Sequence, residues 1–332
     1  MAGMRAMVLA AGVGERMRPL TDWLPKPLLP IANRPVMGYV LQHLARHGFT
    51  EVIANLHYQG ERIVDCFAEG AAWGVNLTYT YEEKLWGIAG GVRRCKDFFG
   101  DDTFLVIGAD DLTDIDLTAL LAAHRQAGAI ATIGLVEVQD TSQFGIVVTK
   151  EDGRIARFVE KPKHDPPSRT ANTQIYLFEP EVFDFIPPDR VYDFGFDAFP
   201  AMVDAGAPFY GFKIPGYWRD IGSFADFLAA QCDVMEERVK VDVPGQKLAP
   251  GIWVDEGCVI HPEATLRATL ALGKGCRVGR KACLGGGTAI GEGVRVPAGS
   301  SLEKTVVLPG AKLPRAAKIS HAVIAPAGIW TG

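Results

Sequence analysis

The chain is poor in cysteine and has no long apolar run. Its 332 residues contain six cysteines, none spaced as C-x-x-C, at a density far below that of a disulfide scaffold. No stretch approaches the roughly eighteen apolar residues of a membrane span, and the N-terminus lacks a basic segment followed by an apolar core. We therefore expect a soluble, unprocessed protein of the reducing cytoplasm, with no membrane partner.

Positive charge is not in excess either. Lys and Arg number 34 against 39 Asp and Glu, which gives a formal net charge of −5. A general nucleic-acid binder needs a basic face to neutralise phosphates. We therefore expect no nucleic-acid partner. With 48% hydrophobic residues, a chain of this length predicts about two domains with sizeable cores.

A glycine-containing loop follows the first apolar segment but lacks the two common nucleotide-binding fingerprints. Residues 4–10 are apolar and short enough for a buried strand, and Gly12 and Gly14 follow where that strand would leave the sheet. The third glycine position of G-x-G-x-x-G is Met17, and no Gly-Lys pair precedes Ser or Thr. Glycines at a strand end still let backbone N–H groups approach an anion without a Cβ in the way.

Two cationic side chains lie close behind these glycines in the sequence. The guanidinium of Arg16 can donate two parallel hydrogen bonds to phosphate oxygens. Lys26 lies between Pro25 and Pro27, whose rings fix φ and reduce the entropy lost when the ammonium is positioned. The segment therefore predicts a site for a polyphosphate.

Up to about residue 235, short apolar runs alternate with amphipathic stretches. This alternation is typical of an α/β fold with a mostly parallel, Rossmann-like sheet, in which ligand-binding motifs lie at the carboxyl ends of the strands. The predicted strands are Met4–Ala10, Glu51–Asn55, Leu77–Tyr81, Thr103–Ile107 and Ile130–Val138. The predicted helices are Val36–His47, Gln59–Phe67, Gly90–Phe98, Leu117–Ala127 and Ser223–Lys240.

After about residue 245 the periodicity changes to six. Ten aliphatic residues recur at this interval from Val254 to Leu308, and small residues such as Cys276 and Ala282 recur two places before them. No α-helix or ordinary hairpin has this period, whereas a triangular parallel β-helix with small residues at its corners does. We expect roughly four coils of about eighteen residues, with an exposed edge and face that favour association into homo-oligomers.

A second chemical motif is an apolar strand that ends abruptly in acids. Residues 104–108 are followed by Asp110 and Asp111, which places hard oxygen ligands at the rim of the sheet, as Mg²⁺ requires. Asp111 is either a second ligand or a solvated turn acid, and we favour the latter. Asp114 and Asp116 are predicted to cap the helix that begins near Leu117.

Residues 9 to 37 resemble the opening signature of the sugar-phosphate nucleotidyltransferases, which join a nucleoside triphosphate to a sugar 1-phosphate. The signature runs roughly L-A-G/A-G-x-G-x-R-L-x-P-L-T and then P-K-P-L-L-P, and this chain matches it nearly throughout. The resemblance implies that Arg16 stabilises charge on the transferring phosphate and that Lys26 also contacts phosphates. It further implies nucleotide contacts from Leu9, Ala11, Gly12 and Gly14. Glu15 stands where many members have Thr or Ser.

The resemblance extends to the metal and sugar segments. Asp110 occupies the family's metal position, and Asp220, in Trp218-Arg-Asp-Ile-Gly, is similar to the second metal ligand of a W-x-D-x-G segment. A V-E-K-P motif implies that Glu160 binds sugar hydroxyls and that Lys161 binds the sugar's phosphate. The same resemblance implies that Gly145 permits close approach of the sugar and that Asn172 is a sugar ligand, although Gln174 replaces a glycine of N-x-G-x-Y.

For the nucleobase, residues 85–91 are similar to the family's L-G-T-A-G segment. Gly87 would border the base, and Ile88 replaces a threonine. Glu82 could accept hydrogen bonds from a guanine edge or be a solvated glutamate near a turn. These residues leave the choice of base open.

The resemblance thus implies a Mg²⁺-dependent nucleotidyltransferase domain at residues 1–240, followed by a left-handed hexapeptide β-helix at residues 241–332. GTP with mannose 1-phosphate is the favoured substrate pair, and glucose 1-phosphate with dTTP or UTP is the close alternative. Two further hypotheses are a catalytically inactive regulatory subunit and a bifunctional enzyme whose β-helix adds acyl transfer. In the latter, His261 or His321 would be the base.

Overall fold

A computed structural model describes residues 3–331, which form two units. The first comprises residues 3–13, 40–111 and 115–218, and the second comprises residues 14–39, 112–114 and 219–331. The helices are α1 (Leu20–Trp23), α2 (Val36–Arg46), α3 (Gly60–Phe67), α4 (Gly87–Arg94), α5 (Lys96–Phe99), α6 (Leu117–Ala127), α7 (Phe199–Asp204) and α8 (Phe224–Met235). Short 3₁₀ helices occupy Glu15–Met17, Lys26–Leu28, Ala71–Trp73 and Pro180–Phe185, and a π-helix occupies Phe194–Ala198.

The strands of the amino-terminal two thirds are mostly short. They are β1 (Met4–Leu9), β2 (Pro30–Ile31), β3 (Arg34–Pro35), β4 (Phe49–Leu56), β5 (Asn76–Tyr81), β6 (Phe104–Gly108), β7 (Asp111–Thr113), β8 (Ala131–Glu137), β9 (Gly145–Thr149), β10 (Ile155–Glu160), β11 (Thr170–Phe178), β12 (Phe209–Lys213) and β13 (Trp218–Asp220).

The remaining strands lie in the region of six-residue periodicity. They are β14 (Gln246–Ala249), β15 (Ile252–Val254), β16 (Val259–Ile260), β17 (Thr265–Leu266), β18 (Leu270–Leu272), β19 (Arg277–Val278), β20 (Cys283–Gly285), β21 (Thr288–Ile290), β22 (Arg295–Val296), β23 (Ser301–Val307), β24 (Lys318–Ala325) and β25 (Gly328–Thr331).

The first unit is built on a mixed sheet with the path β10-β9-β11-β6-β1-β4-β5, to which β8 and β12 add beside β11. The strands β6, β1, β4 and β5 are parallel, as the alternation predicts. Strand β11 is antiparallel to β6, β8 and β9, which the alternation does not predict. Each predicted strand and helix is present within a few residues, with two exceptions. The predicted helix Gly90–Phe98 is two helices, α4 and α5, and the helix predicted over Ser223–Lys240 ends at Met235.

The core of the first unit is rich in aromatic side chains. Phe99 and Phe104 stack with their ring centroids 3.9 Å apart, and the buried Phe178, Phe194 and Phe199 extend the cluster. Burial of such rings contributes both transfer free energy and ring-pair attraction. This packing holds β6 and β11 in place, and so it fixes the residues that follow β6.

The capping prediction is correct for one of the two acids. Asp116 is the N-cap of α6, and its side chain accepts a hydrogen bond from the backbone N of Ala119. Asp114 is not the cap, because its Oδ2 accepts from the backbone N of Lys240, which is 126 residues away. A partner so distant in sequence leaves no local signal.

In the second unit, the region of period six stacks as parallel strands. Ile252 pairs with Leu270 and Leu270 with Thr288, so successive layers are eighteen residues apart. Gly279 is needed at such a step, since a Cβ there would lie 2.6 Å from the backbone N of Ala298 in the next layer. The arrangement is compatible with the expected β-helix. The aliphatic residues that point inward include Leu272, Val278, Leu284, Ile290, Val296 and Leu302.

Across residues 3–331, none of the helices combines the length and the apolar character that crossing a bilayer requires.

Candidate active site

The carboxyl ends of β1, β4 and β6 meet at one edge of the first unit. Leu9, which is half-buried at the end of β1, pairs with Asn55 on one side and with Gly108 on the other. The backbone N of Ala10 donates to Oδ1 of Asn55 at 2.9 Å. Parallel strands present their ligand-binding loops at this edge. The edge therefore carries both Gly12, which follows β1, and the acids that follow β6.

Gly12 lies in an open stretch of backbone next to the buried Ala11. A Cβ built at Gly12 would meet no atom within 4 Å, and the residue is exposed. The fold therefore imposes no steric demand for glycine at this position. A glycine that the fold does not require is consistent with close approach of a ligand to the backbone.

Gly14, in the second unit, has a structural reason to be glycine. Its φ is +71°, and a Cβ there would lie 2.9 Å from Cγ2 of Thr21. The Thr21 hydroxyl donates to the carbonyl oxygen of Gly14 at 2.8 Å. These contacts hold the start of the segment that carries Arg16.

Arg16 and Lys26 meet Asp220 in the second unit, although Asp220 lies 204 and 194 residues further along the chain. Arg16 Nη2 lies 3.4 Å from Asp220 Oδ2, and Lys26 Nζ lies 3.2 Å from Asp220 Oδ1. The Lys26 side chain is 15% exposed and that of Asp220 is 25% exposed, whereas Arg16 is 55% exposed. Gly222 permits the approach, because a Cβ there would lie 2.9 Å from Arg16 Nη2. Two cations thus share one carboxylate.

Gln231 is a positioning residue that sequence reasoning missed. Its buried side chain, on α8, accepts from the backbone N of Ala32 at 2.8 Å and donates to the carbonyl oxygen of Pro30 at 2.9 Å. These bonds fix the β2–β3 turn that follows the proline-flanked Lys26. A buried glutamine on an otherwise apolar helix face was the available signal, but its partners lie 199 and 201 residues away.

A second missed network anchors the strand of Asp220. The neighbouring Arg219 donates from Nε to Oδ2 of Asp233 at 3.0 Å and from Nη1 to Oδ1 of Asp226 at 3.3 Å. Asp233 is buried and also accepts from Arg238 at 3.1 Å. A buried carboxylate held by two arginines is costly to disturb. It ties β13 to α8.

The carboxylates of Asp110 and Asp111, which follow β6, lie close to Gly108. Oδ2 of Asp111 accepts from the backbone N of Gly108 at 3.1 Å, and Asp111 is only 2% exposed. A Cβ on Gly108 would lie 2.6 Å from Asp111 Oδ2 and 2.9 Å from Asp110 Oδ1. The preferred interpretation of Asp111 as a solvated turn acid is therefore wrong, because its carboxylate folds back onto the strand end. Asp110 and Asp111 thus place hard oxygen ligands at this strand end of the first unit.

Glu82 is buried rather than solvated, so the solvated alternative is wrong. Its Oε1 accepts from Nδ2 of Asn55 at 2.7 Å, and its Oε2 accepts from the backbone N of Trp86 at 3.2 Å. Gly87 begins α4 with φ +75°, and a Cβ there would lie 2.4 Å from the carbonyl oxygen of Tyr192. Both Glu82 and Gly87 thus serve the fold of this loop. Ile88, which stands in place of threonine, packs against the aromatic core.

Glu160, at the end of β10, pairs with Gly145 of β9. A Cβ on Gly145 would lie 2.5 Å from Cζ of Phe158 and 2.7 Å from Oε2 of Glu160, and one on Gly195 would lie 2.5 Å from the same Oε2. The two glycines therefore make room for the Glu160 carboxylate itself. Burial raises the pKa of Glu160, and Lys161, whose Nζ lies 3.6 Å from Oε1, partly opposes the shift.

Asn172 closes a bulge in β11. Its Nδ2 donates to the Tyr176 hydroxyl at 2.8 Å, and its Oδ1 accepts from the backbone N of Gln174 at 2.8 Å. Gln174 has φ +60°, the conformation for which glycine is best suited. This explains why the resembled motif has glycine at that position. In this chain an exposed glutamine holds the same turn beside Asn172.

His261 has a local structural role. Its Nδ1 accepts a hydrogen bond from the backbone N of Glu263 at 3.1 Å. The histidine thereby fixes a turn between β16 and β17.

Comparison with known proteins gives a match over most of the chain. The family described as "Nucleotidyl transferase" matches residues 5–237. The match contains the predicted nucleotide, metal and sugar residues, whereas His261 lies beyond its end.

Individual relatives share a sugar 1-phosphate in their names and differ in the nucleotide. The chain is 42% identical over 265 residues to the UTP–glucose-1-phosphate uridylyltransferase of Synechocystis sp., covering 75% of this chain and 68% of that protein. It is 35% identical over 271 residues to the mannose-1-phosphate guanylyltransferase of Mycobacterium tuberculosis, covering 81% and 75%. Among solved structures, a Bacillus anthracis protein assigned as a glucose-1-phosphate thymidylyltransferase, in complex with sucrose, has a TM-score of 0.62 and 26% identity. That match covers 69% of this chain and 94% of that one.

Proposed function

This chain belongs to the nucleotidyl transferase family, and from that membership we propose that it transfers a uridylyl group from UTP to glucose 1-phosphate. Transfer of a nucleoside monophosphate to a sugar 1-phosphate is the activity shared by its named relatives. The choice of glucose and uridine rests on the relative that is 42% identical. It also rests on Glu82, one possible acceptor for guanine, because each of its carboxylate oxygens already accepts a hydrogen bond, one from Asn55 and one from Trp86.

GTP with mannose 1-phosphate, favoured by the sequence alone, is the second candidate. The specific observation in its favour is the Mycobacterium tuberculosis guanylyltransferase, whose similarity extends over 81% of the chain. The two candidates differ in both substrates but share the same displacement chemistry.

The observation that carries the reaction is the meeting of Arg16 and Lys26 at Asp220. Two cations and one carboxylate leave one net positive charge, held in place before substrate binds. A sugar 1-phosphate oxygen is already anionic, so its attack on the α-phosphorus needs no side-chain nucleophile. The bond from the α-phosphorus to the bridging oxygen breaks, and pyrophosphate leaves. Positioning and charge neutralisation by Arg16 and Lys26 then supply the catalysis.

The donor set fits a divalent cation, and we assign Asp110 and Asp220 as ligands of Mg²⁺. Asp110 directly precedes β7, the strand that pairs with β13, where Asp220 lies. When bound, Mg²⁺ would neutralise phosphate charge and so make the α-phosphorus easier to attack. Asp111, which is bonded to the strand end, would orient the turn that presents Asp110.

The remaining site residues are proposed substrate contacts. Backbone at Gly12 and Gly14, with Leu9 and Ala11 beside it, would hold the triphosphate, and the loop of Glu82 and Gly87 would hold the base. Gly145, Glu160, Lys161 and Asn172 would hold the sugar 1-phosphate, with Lys161 supplying the cation for its phosphate.

We also propose that residues 1–240 form the catalytic domain and residues 241–332 a left-handed β-helix through which copies of the chain associate into a homo-oligomer. The eighteen-residue offset between layers supports the helix, and its exposed strand edges support association. Sedimentation of the full chain at several concentrations tests the association, and a monomer throughout would reject it.

A panel of four nucleoside triphosphates against glucose 1-phosphate and mannose 1-phosphate, scored by pyrophosphate release with Mg²⁺, tests the substrates. We expect the highest turnover with UTP and glucose 1-phosphate. Highest turnover with GTP and mannose 1-phosphate would establish the second candidate, and equal turnover of all four triphosphates would reject any base preference. Absence of release with every pair would favour the inactive subunit.

The metal assignment predicts that Asp110→Asn lowers turnover by about two to four orders of magnitude, since a ligand charge is lost at the transferring phosphate. The exposed Asp65→Asn variant on α3 removes the same charge away from the site and should retain the wild-type rate. An undiminished Mg²⁺-dependent rate in Asp110→Asn would contradict the assignment.

A further inference from the structure

Asn55 and Glu82 form a buried hydrogen-bond chain between two loops of the first unit. The backbone N of Ala10 donates to Asn55 Oδ1 at 2.9 Å, and Asn55 Nδ2 donates to Glu82 Oε1 at 2.7 Å. The backbone N of Trp86 donates to Glu82 Oε2 at 3.2 Å. Asn55 is 5% exposed and Glu82 is 6% exposed. The chain therefore joins the backbone at the end of β1 to the start of α4 through two side chains.

The direction of every bond in this chain is fixed by the carboxylate. An ionised carboxylate only accepts, whereas a carboxamide accepts at oxygen and donates at nitrogen. Glu82 therefore obliges Asn55 to turn its nitrogen towards β5 and its oxygen towards Ala10. With that orientation, the Ala10 and Trp86 backbone donors are both satisfied in a buried setting, where an unpaired donor would be costly.

Gly91 shows how closely α4 packs onto this pair. A Cβ at Gly91 would lie 2.7 Å from Glu82 Oε1 and 3.3 Å from Asn55 Nδ2. The φ of Gly91 is not in the left-handed region, so the glycine is explained by this close approach rather than by its backbone conformation. The helix start, the carboxylate and the carboxamide thus form one packed unit.

We propose that Asn55 and Glu82 are positioning residues that set the distance between the triphosphate-binding backbone after β1 and the base-binding loop at Trp86 and Gly87. The inference rests on the proposed function, since it assigns those two loops to one nucleotide. Glu82 acts through Asn55 and the Trp86 amide and does not contact the base. The nucleotide is then recognised at a spacing that the two side chains impose.

A pair of isosteric substitutions tests this polarity. In Glu82→Gln, the new amide nitrogen must face either the Asn55 nitrogen or the Trp86 N–H, and both of these are donors. Rotating the Asn55 amide so that its oxygen faces position 82 would place its nitrogen against the Ala10 N–H. In each arrangement two donors face each other and one hydrogen bond is lost. In the double variant Glu82→Gln with Asn55→Asp, the carboxamide introduced at position 82 donates to the new carboxylate and accepts from Trp86, while the side chain at position 55 still accepts from Ala10. All three bonds are restored, with the negative charge moved to position 55.

Steady-state kinetics of the full chain, with the triphosphate varied, gives the main readout. Glu82→Gln should lower kcat/KM for the triphosphate by about 100-fold, because small misplacements of binding groups cost rates of this order. The double variant should recover to within about tenfold of wild type. The matched control is Glu61→Gln, which removes the same charge from an exposed residue of α3 outside both loops and should behave as wild type.

Wild-type kcat/KM in Glu82→Gln would overturn the inference, as would a double variant no better than the single. The latter result would mean that the carboxylate at position 82 contacts substrate directly. Thermal unfolding of the same variants is an independent readout, in which recovery of the unfolding temperature by the double variant supports the hydrogen-bond chain. If wild type releases no pyrophosphate with any substrate pair, the proposed function fails, and the unfolding data alone then decide whether the bond polarity is correct.

Discussion

Replacing Gln174 by glycine should stabilise the protein, although it removes a side chain. Gln174 holds φ at +60° in the bulge of β11, where Thr173, Gln174 and Ile175 lie opposite Gly134 alone. The bulge is held by the bond from the Gln174 backbone N to Asn172 Oδ1, at 2.8 Å, which any residue can make. The glutamine side chain is therefore not needed for the turn.

The magnitude follows from two opposing contributions to the free energy of unfolding. A residue with a Cβ in the left-handed region costs roughly 1–2 kcal/mol, which glycine avoids. Glycine gains conformational freedom in the unfolded chain, which costs about 0.4–1 kcal/mol. The difference predicts that Gln174→Gly raises the free energy of unfolding by about 0.8 kcal/mol, taking the middle of both ranges.

Urea denaturation of three proteins isolates the backbone effect. Gln174→Ala also removes the amide but keeps a Cβ, so it should stay within about 0.5 kcal/mol of wild type, as exposed substitutions usually do. The glycine variant should then be more stable than both. If glycine and alanine have the same stability, the strain argument at this position is refuted.

Two further predictions concern the nucleotide and sugar sides of the site. Gly12→Ala should leave the unfolding temperature unchanged or slightly raised, because a Cβ there meets no atom within 4 Å, yet it should raise KM for the triphosphate at least severalfold. An unchanged KM would contradict backbone contact with phosphate. Burial raises the pKa of Glu160, so the folded state releases the proton less readily than the unfolded one, and stability is lost as pH rises through the raised pKa. Glu160→Gln should therefore match wild type near pH 4 and become the more stable protein towards pH 7. The measurement is the unfolding midpoint of both proteins across this pH range. A difference between the two midpoints that does not change with pH would reject the reasoning.

The periodicity of apolar residues was sufficient to predict where the helices and strands lie. The apolar run before Gly12 is β1, the stretch from Leu117 to Ala127 is α6 to the residue, and the six-residue repeat leads to layers offset by eighteen residues. Such signals are local, because buried and exposed positions recur every few residues along a helix or strand. The antiparallel entry of β11 into the sheet had no such signal.

The sequence by itself therefore determined which residue types were available for phosphate, metal and sugar chemistry, and roughly where strands end. Only the tertiary structure decided what each polar group does. Asp111 accepts from the end of β6, Glu82 accepts from Asn55, and Gly145 makes room for Glu160. Hydrogen bonds and close approaches join residues that are distant along the chain, as Gln231 and Ala32 are across 199 positions. Their energies depend on distance and direction in space, which no local pattern encodes.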